Sequence, residues 1–106
     1  MDKKKDKLIP LLKEFKKNAS KKVKIDKLIF FGSRATKKSK KTSDIDLLLI
    51  SKNFKGKKYF KRSPKFYLMW DYPYDVDILC LTPEELAKKQ KQTGIIQQAV
   101  KEGILI

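Results

Sequence analysis

An apolar run, Leu28-Ile29-Phe30-Phe31, stops at Gly32-Ser33, and ten residues later Asp44-Ile45-Asp46 runs straight into a second apolar run, Leu47-Leu48-Leu49-Ile50. Four consecutive large apolar residues rich in β-formers, bounded by polar or turn-forming residues, read as buried strands. The first strand is expected over Lys24 to Phe31 and the second over Asp44 to Ser51. A strand with no polar alternation is apolar on both faces, so it needs cover on both. Residues 34–43 between the two strands hold almost no apolar side chain and read as a short helix or a loop.

The flanking sequence supplies that cover. Leu8, Leu11, Leu12, Phe15 and Ala19 recur at helical spacing, with Lys13, Lys16 and Lys17 on the other face, which predicts an amphipathic helix. Pro10 fits it only in the first turn or at a kink. Residues 52–63 are basic and turn-like around Gly56. Ser63-Pro64 opens a short helix over Lys65 to Trp70, with Ser63 as N-cap and Pro64 at its first position. Tyr74 to Leu81 is a third strand. Thr82-Pro83-Glu84-Glu85 is a capping box that starts a helix running to about Gln92. Thr93 caps a last helix to Glu102, ended by Gly103 and followed by an apolar tail, Ile104-Leu105-Ile106. The expected fold is α/β: a three-stranded sheet flanked by helices, in a single domain over residues 1–106.

Composition narrows the chemistry. The chain has no histidine, and Cys80 is its one cysteine, so Cys/His zinc sites, His-dependent catalytic triads and an intrachain disulfide are all excluded. Cys80 lies in an apolar run, where an inert buried thiol is expected. The N-terminal Met-Asp-Lys-Lys-Lys-Asp-Lys lacks a signal-peptide pattern, and no apolar run approaches the ~20 residues of a membrane span, so a soluble, cytoplasmic protein is expected. The net charge of +15 admits polyanionic partners such as nucleic acid or nucleotide phosphates, or a lysine-rich surface of no specific function.

The carboxylates carry the informative pattern. Asp44 and Asp46 stand two apart at a strand's start and project from one face. Two carboxylates side by side repel unless a cation lies between them, and oxygen ligands alone suit Mg²⁺ or Mn²⁺. Gly32 permits close backbone approach and an unusual turn, while the Ser33 hydroxyl and the following amides can donate to phosphate oxygens. A third carboxylate would complete a two-metal site for phosphoryl transfer, and the third strand offers Asp75 and Asp77, again two apart. Both are flanked by apolar residues, an expensive position for a charge without a metal or partner.

Gly32-Ser33, ten residues, then Asp44-x-Asp46 resembles the nucleotidyltransferase signature of the DNA polymerase β superfamily. Phe31-Gly32-Ser33-Arg34-Ala35 and Ser43-Asp44-Ile45-Asp46-Leu47 resemble its minimal nucleotidyltransferase (MNT) branch. The resemblance implies a mixed sheet of palm-like fold, two divalent ions and transfer of a nucleoside monophosphate from an NTP, with ATP as the expected donor. Carried over by position, Gly32 and Ser33 would hold the nucleotide's phosphates. Asp44 and Asp46 would ligate both metals. Asp77 would be the third carboxylate, since it precedes Ile78-Leu79 as the family's third Asp precedes an apolar pair, with Asp75 as the fallback. Where the family continues with Arg/Gly-rich residues, this chain has Thr36-Lys37-Lys38-Ser39-Lys40-Lys41-Thr42. The resemblance further implies the antitoxin half of a toxin–antitoxin pair, acting on a helical HEPN-type partner by AMP transfer to a tyrosine.

Arg34 has two readings, contact with a substrate phosphate or an ion pair with a core carboxylate. Lys37, Lys38, Lys40 and Lys41 would steer a triphosphate or merely solvate a loop. Eight aromatic residues between Phe54 and Tyr74 alternate with lysines, a pattern of sheet packing, of a protein docking patch or of base stacking. The apolar tail hints at homo- or hetero-association. Two rival functions accompany the enzyme: a non-catalytic antitoxin that masks its partner, and a basic RNA-binding protein.

Overall fold

The computed structural model describes residues 3–32, 45–92 and 94–106. Four helices and four strands follow in the order α1 (Lys3–Ser20), β1 (Lys27–Phe31), β2 (Ile45–Ile50), α2 (Pro64–Met69), β3 (Val76–Leu81), α3 (Pro83–Lys89), α4 (Ile95–Glu102) and β4 (Ile104–Leu105). Two short 3₁₀ turns, Lys52–Phe54 and Tyr59–Lys61, lie between β2 and α2. The class is α/β, as expected, with a mixed sheet in the order β3-β2-β1-β4.

β1 runs antiparallel to β2, with Phe31 opposite Asp46, whereas β3 runs parallel to β2, with Asp46 opposite Asp77 and Ile50 opposite Leu81. The sheet's two faces carry separate cores because successive side chains point to opposite sides. Ile45, Leu47, Leu49, Leu28, Phe30, Ile78 and Cys80 pack with α1 through Leu8, Leu12, Phe15 and Ala19. Ile29, Phe31, Leu48, Ile50 and Leu81 pack with Leu86 of α3 and Ala99 of α4. This two-sided burial is what the unbroken apolar runs demand.

Several expectations change. The tail forms a fourth strand, β4, pairing antiparallel with β1 through Ile29–Leu105 and Phe30–Ile104. A two-residue strand leaves too short a pattern to read from sequence. β1 is shorter than expected and starts at Lys27, while β2 and β3 each begin a residue or two later than the expected bounds. Pro10 lies inside α1, neither in its first turn nor at a break, and it is exposed, so the hydrogen bond a proline cannot donate is lost on the solvent side of the helix. Ser63 stands at the N-cap of α2 but in helical geometry and without a capping hydrogen bond. The capping box of α3 is complete: Glu85 N–H donates to Thr82 Oγ1 at 3.1 Å and Thr82 N–H to Glu85 Oε1 at 2.8 Å. α3 ends at Lys89, and Gly94 stands at the N-cap of α4; Thr93 lies outside the described residues, as do 34–43. Gly103 follows α4 at φ −72°, an ordinary conformation; its need for glycine is contact, since a Cβ there would strike Ala99 O and Ile29 Cγ2.

β3 is an edge strand, and side chains cover its outward groups. Tyr67 Oη accepts from Ile78 N–H at 2.8 Å, and Arg62 Nη1 donates to Cys80 O at 3.2 Å. Such cover blocks pairing with another chain. Among the described residues no helix is long and apolar enough to cross a membrane.

Candidate active site

β1 ends where β2 and β3 begin, so one end of the sheet gathers Gly32, Asp46 and Asp77. Asp46 and Asp77 are in-register neighbours on parallel strands and share the α3/α4 face, with backbones roughly 5 Å apart. Along that face the next pairs inward are Leu48–Leu79 and Ile50–Leu81, which the helices bury. The acids thus stand at the rim of a hydrophobic layer. Asp46 is half-buried and Asp77 exposed. The sequence argument that Asp77 sits in an apolar setting is therefore corrected: its apolar sequence neighbours point to other positions on the sheet, and its carboxylate faces solvent.

Gly32 completes the corner. Its φ is +87°, in the left-handed region that favours glycine. A Cβ there would collide with Asp46 Oδ2 and lie 3.0 Å from Asp46 Cγ. The turn after β1 is therefore built against the Asp46 carboxylate, which fixes that side chain's position. Asp75 is exposed and precedes β3; its carbonyl accepts from Ile45 N–H at 2.9 Å. It is not among the register partners of β2, so the sheet places Asp77, not Asp75, beside Asp46. Ser33, Arg34 and Asp44, with Lys37, Lys38, Lys40 and Lys41, lie outside the described residues.

The donor set at this corner is carboxylate oxygen, which suits hard divalent ions such as Mg²⁺ and leaves room for phosphate oxygens as further ligands. A cation between two carboxylates in register relieves their mutual repulsion. Among the described residues alone, no group of three or more acidic or sulfur ligands forms a cluster.

The connection into β3 is held by aromatic residues of the Phe54–Tyr74 cluster, in their packing role. Trp70 Nε1 donates to Tyr74 O at 2.7 Å, and Tyr72 Oη donates to Glu14 Oε1 at 2.8 Å. Burial, with the Glu14 carboxylate beside it, pushes Tyr72 up to about 12. Trp70 stacks edge-on against Phe15 and Tyr72, pinning residues 70–74 to α1. Arg62 is 5% exposed. It reaches both carboxylate oxygens of Glu85, the carbonyl of Lys57 and that of Cys80. The signal for it was available: only Arg34 and Arg62 are arginine in a chain otherwise using lysine. A planar fork that must satisfy several fixed acceptors cannot be replaced by an ammonium.

The sequence and the fold both resemble known proteins. The sequence model of the nucleotidyltransferase domain family matches residues 12–105. A Methanocaldococcus jannaschii protein, provisionally named a protein adenylyltransferase, is 30% identical over 99 residues, covering 92% of this chain and 96% of that one. A Sulfolobus solfataricus protein, provisionally described as a nucleotidyltransferase and solved at 1.40 Å, superposes with a TM-score of 0.70 at 24% identity. The match covers 95% of this chain and 80% of that one.

Proposed function

The chain belongs to the nucleotidyltransferase domain family and is a nucleotidyl-transferring enzyme, and from that premise we propose that it moves AMP from ATP onto a hydroxyl of a protein acceptor. The observation that carries the site assignment is the in-register pair Asp46–Asp77 with Gly32 packed against the Asp46 carboxylate. Asp46, Asp77 and, from the sequence pattern, Asp44 would hold the divalent ions that nucleotidyltransferases use, Mg²⁺ or Mn²⁺. Those ions, when bound, would neutralise phosphate charge and lower the pKa of the attacking hydroxyl. Gly32 and Ser33, with Arg34, would cradle the donor's β- and γ-phosphates. The acceptor oxygen attacks the α-phosphorus, the bond from α-phosphorus to the bridging oxygen breaks, and pyrophosphate leaves. Asp77 would take the hydroxyl proton, a role its exposure at the rim supports.

The name of the archaeal relative supports a protein acceptor, and the resemblance to MNT antitoxins supports a helical HEPN-type toxin as that acceptor. The test is incubation with labelled ATP, Mg²⁺ and a HEPN-type protein. Label should pass to the acceptor with the wild-type chain and fall at least a hundredfold with Asp46→Asn, which should melt as wild type does. Full transfer by that variant would overturn the assignment. Neutralisation of the toxin by a transfer-dead variant would replace the catalytic antitoxin with one that acts by masking.

A further inference from the structure

Four of the seven exposed large apolar side chains among the described residues lie within one short stretch: Tyr59 at 50%, Phe60 at 67%, Tyr67 at 42% and Leu68 at 88% exposure. Three are aromatic. The stretch lies along the outer edge of β3, because Tyr67 Oη binds Ile78 N–H and Arg62 binds Cys80 O. Burial raises the Tyr59 pKa, the nearby Cys80 and Tyr67 add to it, and the Arg62 guanidinium, 5.9 Å from the Tyr59 ring centroid, opposes it.

The same stretch is uniformly basic. From Lys52 to Trp70 the sequence contains no Asp or Glu. Two glutamates reach it from α3, and they engage Lys55 and Arg62. Among the described residues, Lys57, Lys58, Lys61 and Lys65 have no such partner within ion-pair distance. Lys65 is half-buried, and its pKa is lowered first by burial and then by the Lys57 ammonium beside it. Two ammoniums held together in this way favour an anion between them.

We infer that residues Lys57 to Leu68 form a docking surface for single-stranded nucleic acid, whose phosphates meet the unpaired lysines and whose bases stack on Tyr59, Phe60 and Tyr67. Single-strand binding rests on a basic track with exposed aromatic rings, since every base has a stacking face. An acidic protein would match the charge and is an outcome of the test below; exposed rings interleaved with lysines that have no acidic partner among the described residues are the alternation of stacking face and cation that a base-and-phosphate strand requires. The surface is independent of the proposed nucleotide transfer and is tested without ATP or metal.

The probes are fluorescent oligo(rU) and oligo(dT) of about 12 nucleotides, within the ~4–16 nucleotide footprint of such surfaces. Anisotropy titrations run from about 50 to 200 mM salt. Wild-type binding should weaken steeply with salt. The triple variant Lys57→Gln/Lys58→Gln/Lys61→Gln should bind at least tenfold more weakly, with its salt slope reduced by about 2, at ~0.7 per phosphate contact. Phe60→Ala should weaken binding about tenfold. A control removing equal charge elsewhere, Lys24→Gln/Lys27→Gln/Lys101→Gln, should stay within twofold; all three lysines are exposed. The inference is overturned by no wild-type binding, by unchanged binding of the triple variant, or by equal loss in the control. It is also overturned if an alternating Glu/Leu peptide of equal charge binds more tightly than either oligonucleotide, which would assign the surface to an acidic protein.

Discussion

Gly32 and Asp46 share one corner of space: the Cβ that any other residue would carry at position 32 falls on the Asp46 carboxylate. The positive φ of Gly32 adds strain for an L side chain. Gly32→Ala should therefore cost roughly 1–3 kcal/mol of stability and, by displacing the acid proposed to hold metal, reduce transfer. Urea unfolding and labelled-ATP transfer check both. In an Asp46→Ala background the same substitution should cost less, because Oδ2 and Cγ are gone; equal costs in the two backgrounds would show that backbone strain alone is at work.

Asp75 and Asp77 separate by register. Asp77 faces Asp46 across parallel strands, whereas Asp75 precedes β3 and contributes its carbonyl. Asp77→Asn should reduce transfer at least a hundredfold and Asp75→Asn by less than about fivefold. Both groups are exposed, so neither change should shift the melting temperature by more than a degree or two. The opposite ranking of the two activities would reassign the third carboxylate.

Arg62→Lys keeps the charge and loses the fork, so it should destabilise by roughly 1–3 kcal/mol. The Arg62 hydrogen bonds hold Glu85 below the ordinary carboxylate value. A depressed folded-state pKa contributes stability above the unfolded value of about 4.5 and loses it as pH falls through the folded value. Acid titration of unfolding free energy below about pH 4.5 should therefore be shallower in Arg62→Lys.

Alkali acts on the core. Burial pushes the Cys80 thiol up to about 12 from an ordinary 9.0. The folded state holds a proton that the unfolded chain releases, so stability is full below about pH 9 and falls as pH rises toward 12. Cys80→Ala, a small loss of volume, should flatten the first part of that fall. Urea midpoints across that range, compared between the two proteins, measure it.

Much of this architecture was readable because the determinants are local. Leu28–Phe31 and Leu47–Ile50 have no polar face, so they had to be covered strands, and Thr82 and Glu85 spell a capping box within four residues. Gly32 and the Asp-x-Asp pattern marked the candidate site for the same reason. What stayed hidden depends on distant partners. β4 is two residues long and exists through Ile29 and Phe30. Spacing alone left Asp75 and Asp77 open and the family resemblance favoured Asp77; the register that sets Asp77 opposite Asp46 is a long-range fact that no spacing rule contains. The solvent exposure of Asp77 was misjudged because sequence neighbours on a strand occupy opposite faces, and the apolar residues beside it turn elsewhere.

The parallel pairing of β2 with β3 has an assembly consequence. Asp46 acquires Asp77 only after the chain has crossed from one end of the sheet back to the other through residues 51–75. A growing polypeptide that has emitted Asp46 therefore still lacks its neighbouring acid, and a single backbone cut in the exposed Lys57–Phe60 stretch would relax the restraint joining the two acids while leaving each strand intact. With the two acids acting together as proposed, competence for transfer would be a late and revocable property of the molecule, acquired with long-range closure rather than with the motif itself.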